Sequence, residues 1–309
     1  MTASVHPLRT GIVPLMPFAT LDEWQARVRA VDEQGHDVLL MADHLGMVAP
    51  LSPLVAAAQQ SERLRFGVQV LNNEFWNPVL LAREAATADI LTAGRFELGF
   101  GAGHAEVEFA AAGLAYDRPS LRIERVAAAV PVVRTLLAGG TIDVDATYGL
   151  EEASLGFAAV QPRIPVMIGG NGDRLLRLAA EQADIVGLTG FTAGTGRTHT
   201  DLSHFTWEGL ADRIAHVRRH AGERFGEIEL SVLVQAVRHT ADRRAAAVEF
   251  AQGMIEDVEA LLASPFLLLG TDDERTAQVV RLRDELGVTY VTTFEPGAEA
   301  LATAVAPLR

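Results

Sequence analysis

The chain has 309 residues, 49% of them hydrophobic, enough to bury one large core or two ordinary ones. Its 40 acidic against 26 basic residues give a formal charge of -14, and no run of clustered basic residues offers a footprint for a nucleic-acid backbone. Lys and Cys are both absent, which excludes a GxxxxGK[ST] phosphate loop, Schiff-base chemistry, disulfides, a thiolate nucleophile and Cys-ligated metal centres.

The opening MTASVHPLRTG lacks a charged region followed by an apolar run, and no window reaches the ~18 continuous apolar residues of a membrane span. A cytoplasmic protein with neither membrane nor nucleic acid as partner is expected. Gly11 to Pro17 reads as a first strand, bounded by Gly and Pro. Leu21 to Gln34 follows as a helix, with Leu21, Trp24, Val28 and Val31 at spacings of three and four and Gly35 as its stop. Asp37 to Ala42 is the near-continuous apolar run of a parallel strand covered on both faces, and it ends in Asp43 and His44.

The same unit then recurs. Ser52 to Gln60 reads as a helix, Leu64 to Leu71 as a strand ending in Asn72 and Asn73, and Pro78 to Leu91 as a helix with Pro at its first position. Arg95 to Phe100 is a fourth strand, whose glycines Gly99, Gly101 and Gly103 leave bare backbone against which a flat ligand could lie. Leu121 to Leu137 is a long helix that Pro131 should kink, and Gly139 to Ala158 reads as an insertion. Further strands are predicted at Pro165 to Gly170, Asp184 to Thr189, Glu229 to Val237 and Val288 to Thr293. Helices are predicted at Gly172 to Gln182, Trp207 to Ala221, Ala241 to Leu262 and Asp272 to Leu286. Phe191 to Phe205 is a long loop of small and polar residues.

Eight strands alternating with helices imply parallel pairing through right-handed crossovers. The expected fold is therefore an α/β (β/α)8 TIM barrel, a single domain over residues 1–309 with insertions after strands four and six. An open doubly wound sheet is disfavoured, because neither Gly99-Gly101-Gly103 nor Gly170-Asn171-Gly172 completes a GxGxxG turn.

In such a barrel the ligand lies over the C-terminal strand ends. The polar or glycine residues there are Asp43 and His44, Gln69 to Asn73, Gly101 to His104, Gly169 to Gly172 and Thr189, which together suit a flat, anionic ligand. The strand-to-helix turn IGGNGDR aims free backbone N–H groups and the positive end of a helix dipole at one point, a phosphate site without lysine. A plain helix cap at Asn171 is the competing reading. His216 and His220, four apart in HVRRH, read as a solvated basic face rather than a metal pair. Phe191 to Phe205, with His199, Asp201 and His204 and with Trp207 beside it, reads as a lid that helps to choose the substrate, with a merely disordered connection as the competing reading.

Three blocks carry a resemblance: ADH after strand two, NNEFWNPVLLAREAATADILTAGRFELGFGAG, and PVMIGGNGDRLLRLAAEQADIV. Together they resemble the bacterial luciferase-like monooxygenase superfamily, and most its branch that uses the deazaflavin coenzyme F420. The resemblance implies a homodimeric TIM barrel with the cofactor across the strand ends and a non-proline cis peptide at Gln69-Val70 against the ring. It also implies His44, beside Asp43, as a ring-contacting proton donor and Gly169 to Gly172 as the phosphate site. The remaining contacts would come from Gln69, Val70, Asn72, Gly101, Ala102, Gly103, His104 and Thr189.

The sequence departs from a sugar-phosphate dehydrogenase of this superfamily where His104 stands in place of a glutamate that serves in proton transfer; Glu106 comes two residues later. The general acid or base is then one of His44, His104 and Glu106. Without lysine, a sugar phosphate is a poor substrate candidate. The expected activity is hydride transfer between F420 and a small organic molecule. The alternatives are an FMN-dependent monooxygenase fed by a separate cofactor reductase, and a flavin-binding barrel without catalysis.

Overall fold

The structure is a computed structural model that describes residues 6–15, 17–190, 192–193, 200–201, 203–252 and 257–309. Eight strands carry the architecture: β1 (Arg9–Val13), β2 (Val38–Met41), β3 (Arg65–Val68), β4 (Phe96–Gly101), β5 (Val166–Gly169), β6 (Ile185–Leu188), β7 (Glu229–Val234) and β8 (Val288–Phe294). Eleven helices accompany them among the described residues: α1 (Leu21–Glu33), α2 (Leu51–Ala57), α3 (Pro78–Leu91), α4 (Glu106–Ala112), α5 (Pro119–Leu137), α6 (Asp173–Gln182), α7 (Trp207–Ala221), α8 (Arg243–Ala251), α9 (Val258–Ala263), α10 (Asp272–Leu286) and α11 (Ala298–Val305).

The chain forms two compact units. One comprises residues 1–14, 33–37 and 169–309, the other residues 15–32 and 38–168. In the first, β1 pairs with β8, β8 with β7 and β7 with β6, all parallel, as in Arg9 opposite Tyr290 and Ser231 opposite Gly187. In the second, β2 pairs with β3, β3 with β4 and β4 with β5, again all parallel. Nearly every residue of these strands is buried, which is why they read in the sequence as apolar runs rather than alternating ones.

Local signals set the helix boundaries. Asn77 caps α3 by accepting from Val79 and Leu80 N–H ahead of Pro78, Thr206 caps α7, and Thr271 with Glu274 forms a reciprocal capping box on α10. Helix α5 continues unbroken through Pro131. The predicted helix Ala241 to Leu262 is two helices, α8 ending at Gln252 in the left-handed region and α9 starting from the cap Asp257. The sequence reading missed Leu267–Gly270, a strand that pairs in parallel with Ala236–His239; its Leu-rich run is too short to separate from helix by periodicity. The segment Gly139 to Ala158 contains an antiparallel hairpin, Thr141–Asp145 against Leu150–Ser154.

The N-terminal strand ends hold matched charges. Arg9 Nε donates to Glu229 Oε1 at 2.8 Å while its guanidinium lies 3.8 Å from the Tyr290 ring centroid, and Arg65 Nε donates to Glu97 Oε1 at 2.6 Å. These pairs neutralise charge where the strands begin.

The strand-four glycines face the chain's own Val68–Asn72 segment, backbone at Gly99 and side chains at Gly101 and Gly103, where the sequence suggested a flat ligand. A Cβ on Gly99 would lie 2.0 Å from Val68 O, and one on Gly101 would lie 2.6 Å from Val70 Cγ2. Gly103, at φ 68°, would meet Asn72 Oδ1 at 2.4 Å. The bare strand therefore receives the Val68–Asn72 segment, whose Gln69-Val70 peptide is cis as the resemblance implies. Gly99→Ala is expected to cost about 3 kcal/mol or more of unfolding free energy, because a backbone carbonyl cannot yield. Gly226→Ala, whose Cβ meets nothing within 4 Å, is the control and should stay within ~0.5 kcal/mol in the same urea titration.

Candidate functional site

In the second unit the C-terminal ends of β2, β3 and β4 bring six of the expected residues together: Asp43, His44, Asn72, Ala102, Gly103 and His104. Asp43 Oδ2 accepts from Asn72 N–H at 3.1 Å and from the Trp76 indole N–H at 2.8 Å. Burial pushes its carboxyl above the ordinary aspartate range against the pull of those two donors. Asn72 in turn caps the short turn Asn73–Phe75 by accepting from Glu74 N–H at 3.2 Å. Asp43 is thus a fastening for the 72–76 turn as well as the neighbour of His44.

His44 follows directly, and its Nδ1 lies 2.8 Å from Glu108 Oε1, with Leu45 N–H reaching Glu108 Oε2 at 3.4 Å. Glu106, the acid singled out in the sequence, is exposed at the start of α4. The acid that meets His44 is Glu108. Two residues on a helix point about 200° apart, so only one of the pair can face the strand ends, and the sequence does not say which without the register of α4.

His104 places its ring 5.3 Å from that of His44 in an edge-to-face arrangement. Desolvation, with the His44 charge second, holds its imidazole below the ordinary histidine range. The turn that carries it is fixed by residues the sequence reading missed. Arg122, 4% exposed on α5, donates to Ala102 O at 3.0 Å and to Gly103 O at 3.3 Å, and Tyr116 Oη donates to His104 O at 3.1 Å. The Arg122 guanidinium also lies 4.2 Å from the Tyr116 ring centroid. The signal available in sequence was only an Arg three residues after the helix-starting Pro119, too common to single out.

Gln69 and Val70 flank the cis peptide. Gln69 N–H donates to Met41 O at 2.9 Å, while its Oε1 is buried with no hydrogen-bond partner among the described residues. That oxygen is an acceptor still to be satisfied, which suits a ligand edge bearing N–H groups.

In the first unit, Gly169 to Gly172 lead from β5 into α6. Gly170 N–H is spent on Gly187 O at 3.0 Å, and a Cβ there would lie 2.4 Å from Leu175 Cδ2. Gly172 is the N-cap of α6 without a side-chain cap bond, and a Cβ at that position would meet nothing within 4 Å. Asn171 is 3% exposed. The first N–H groups of α6 are therefore uncapped and approachable by an anion. Asp173 sits in that first turn, its carboxyl held below the ordinary range chiefly by the Arg213 guanidinium. Thr189, half-buried after β6, precedes Gly190 at φ 75°.

The HVRRH stretch is not a uniformly solvated face. His216 is 9% exposed and its Nε2 lies 3.0 Å from Asp173 O, so with Arg213 it ties α7 to the start of α6, while Arg218, Arg219 and His220 are exposed. Among the described residues no group of three or more His, Cys, Asp or Glu is placed to hold a metal. Of the expected lid, Phe191, residues 194–199 with His199, and Leu202 lie outside the described residues. Within it Thr192–Ala193 pairs antiparallel with Thr200–Asp201. The Arg281 guanidinium covers the Trp207 ring at 3.7 Å from its centroid.

Among the described residues no helix is long and apolar enough to cross a membrane. The chain is 30% identical over 173 residues to a 5,10-methylenetetrahydromethanopterin reductase of Archaeoglobus fulgidus, an alignment covering 56% of this chain and 49% of the relative. It spans about half the length of the relatives it matches in this way. Among solved structures, an F420-dependent secondary alcohol dehydrogenase in complex with an F420-acetone adduct superposes with a TM-score of 0.78 at 16% identity, over 98% of this chain and 100% of that one. The FMN complex of the oxygenating constituent of 3,6-diketocamphane monooxygenase from Pseudomonas putida superposes with a TM-score of 0.73 at 15% identity, over 98% and 99%. These likenesses show the fold, a (β/α)8 barrel of parallel strands with surrounding helices. Residues 3–285 match the luciferase-like monooxygenase family, and the chain belongs to it.

Proposed function

We propose that this protein is an F420-dependent oxidoreductase that moves a hydride between the deazaflavin C5 and a small organic substrate. The observation that carries this reading is the built strand-end group of the second unit, in which His44 is held by Glu108 through one ring nitrogen and keeps the other unspent among the described residues. Such an imidazole is equipped to accept or deliver one proton, the companion of a hydride in oxidising an alcohol or reducing a carbonyl. A relative named F420-dependent glucose-6-phosphate dehydrogenase, from Microbacterium testaceum and 30% identical over 163 residues, supports F420 over FMN as the first cofactor to test.

The residues fit such a group. In the second unit the unsatisfied Gln69 Oε1 suits the N–H edge of a deazaflavin ring; in the first, taken by itself, the uncapped start of α6 at Gly172 suits an anionic group. When bound, F420 supplies two-electron chemistry at C5 with little reactivity toward oxygen. The chain's own part is to seat the ring near His44, to hold Asp43 and Asn72 in place through Trp76, and to pass the proton. Homodimer formation, expected from the resemblance, belongs to the same proposal.

Titration of the purified protein with F420 and FMN side by side, by calorimetry or cofactor fluorescence, should give F420 the lower Kd by at least about tenfold, or ~1.4 kcal/mol. Preference for FMN would instead support a monooxygenase served by a separate reductase, and binding of neither would end the proposal. With F420 bound, His44→Ala should reduce kcat by about 10²–10⁴-fold while the cofactor Kd changes by a few-fold, measured by stopped-flow loss of deazaflavin absorbance. Full turnover in that variant would favour a cofactor-binding protein without this chemistry.

A further inference from the structure

The carboxylate that meets His44 comes from α4, not from the end of a strand. Glu108 is 14% exposed in its side chain, its Oε1 lies 2.8 Å from His44 Nδ1, and its Oε2 takes Leu45 N–H at 3.4 Å. An ionised carboxylate only accepts, so Nδ1 must carry the proton whether the ring is neutral or cationic. The remaining nitrogen, Nε2, has no hydrogen-bond partner among the described residues. A second imidazole, His104, stands edge-to-face at 5.3 Å between ring centroids and is exposed.

We propose that Glu108 is the positioning residue of His44, fixing the tautomer whose Nε2 exchanges the proton with substrate, and that His104 carries this proton between His44 and solvent. This rests on the hydride-transfer reading. In the oxidation of an alcohol, the substrate O–H proton goes to His44 Nε2 and the C–H hydride, with its electron pair, to the deazaflavin. His44 then returns to neutral by losing the Nε2 proton through His104 to water. Carbonyl reduction reverses each transfer. The charged and titratable groups around the pair are Asp43, Glu108 and Arg122, and they divide the labour between the rings. Glu108 is in direct contact with His44, whereas desolvation, then the His44 charge and Arg122, hold the His104 imidazole below the ordinary histidine range against the pull of Glu108.

The tautomer is measurable without any cofactor. Long-range ¹H–¹⁵N correlation spectra of the labelled protein, with the His44 signals assigned by their loss in His44→Gln, should show Nδ1 protonated and Nε2 as the bare nitrogen. Glu108→Gln retains an acceptor, so the tautomer should persist; Glu108→Ala removes the acceptor and should lose it. With F420 and substrate, Glu108→Ala should lower kcat about 10²-fold with KM changed by less than threefold and shift the acidic limb of the pH profile, while Glu108→Gln recovers part of the rate. His104→Gln should leave the His44 tautomer intact and make kcat rise with added imidazole buffer. An Nε2-protonated His44 in the wild type, or an unchanged tautomer in Glu108→Ala, overturns the positioning role. A His104→Gln rate that is normal and indifferent to buffer overturns the relay. If neither F420 nor FMN binds while the tautomer responds as described, the cofactor reading falls and the Glu108 assignment stands.

Discussion

The strand-end group depends on one close approach, the packing of the Val68–Asn72 segment, backbone and side chains, into the space left by Gly99, Gly101 and Gly103. Because no Cβ stands in the way, Asn72 comes within reach of Asp43 through its N–H and can cap the 73–75 turn with its side chain. That turn delivers Trp76, whose indole N–H is the second donor to Asp43. Asp43 and His44 are adjacent in sequence, so what immobilises the first also restricts the second. A single steric allowance thus propagates through four residues to the imidazole that would handle the proton.

A second set of constraints acts on the other side of His44. The turn Ala102–His104 has its carbonyls taken up by Arg122 and Tyr116, so His104 is presented by a rigid turn rather than a loose one. Glu108 enters from the next helix, and the loop after strand four is therefore a short structured element that contributes chemistry directly. With Lys absent from the whole chain, arginine performs both structural and electrostatic duties, and its planar fork suits the carbonyl-clamping role better than an ammonium would.

Much of the fold was legible in the sequence because its strands are buried on both faces and its helices carry ordinary caps. The strand ends at Asp43-His44 and Gly101 to His104 could be read for the same reason, since an apolar run that stops at polar residues marks where buried chain meets the surface. What could not be read depended on partners distant in sequence. The glycines of strand four looked like a ligand platform because the segment that fills them lies about 30 residues earlier. Glu106 and Glu108 differ only in which way a helix turn points, and His216 looked solvated because its partner is a backbone carbonyl in another helix. Leu267–Gly270 escaped because a four-residue apolar run has no period to recognise.

The pairing of β1 with β8 has a consequence for how the chain is made. Arg9 lies opposite Tyr290, and Arg9 also meets Glu229, so the unit containing β1 needs segments from nearly the whole length of the polypeptide. The unit built from residues 15–32 and 38–168 has all its parts in hand once the ribosome has passed β5. During synthesis that unit can condense before the final strand, Val288–Phe294, emerges to pair with β1. Vectorial production therefore imposes an order of assembly on this chain, with the pairing of β1 and β8 among the last to form.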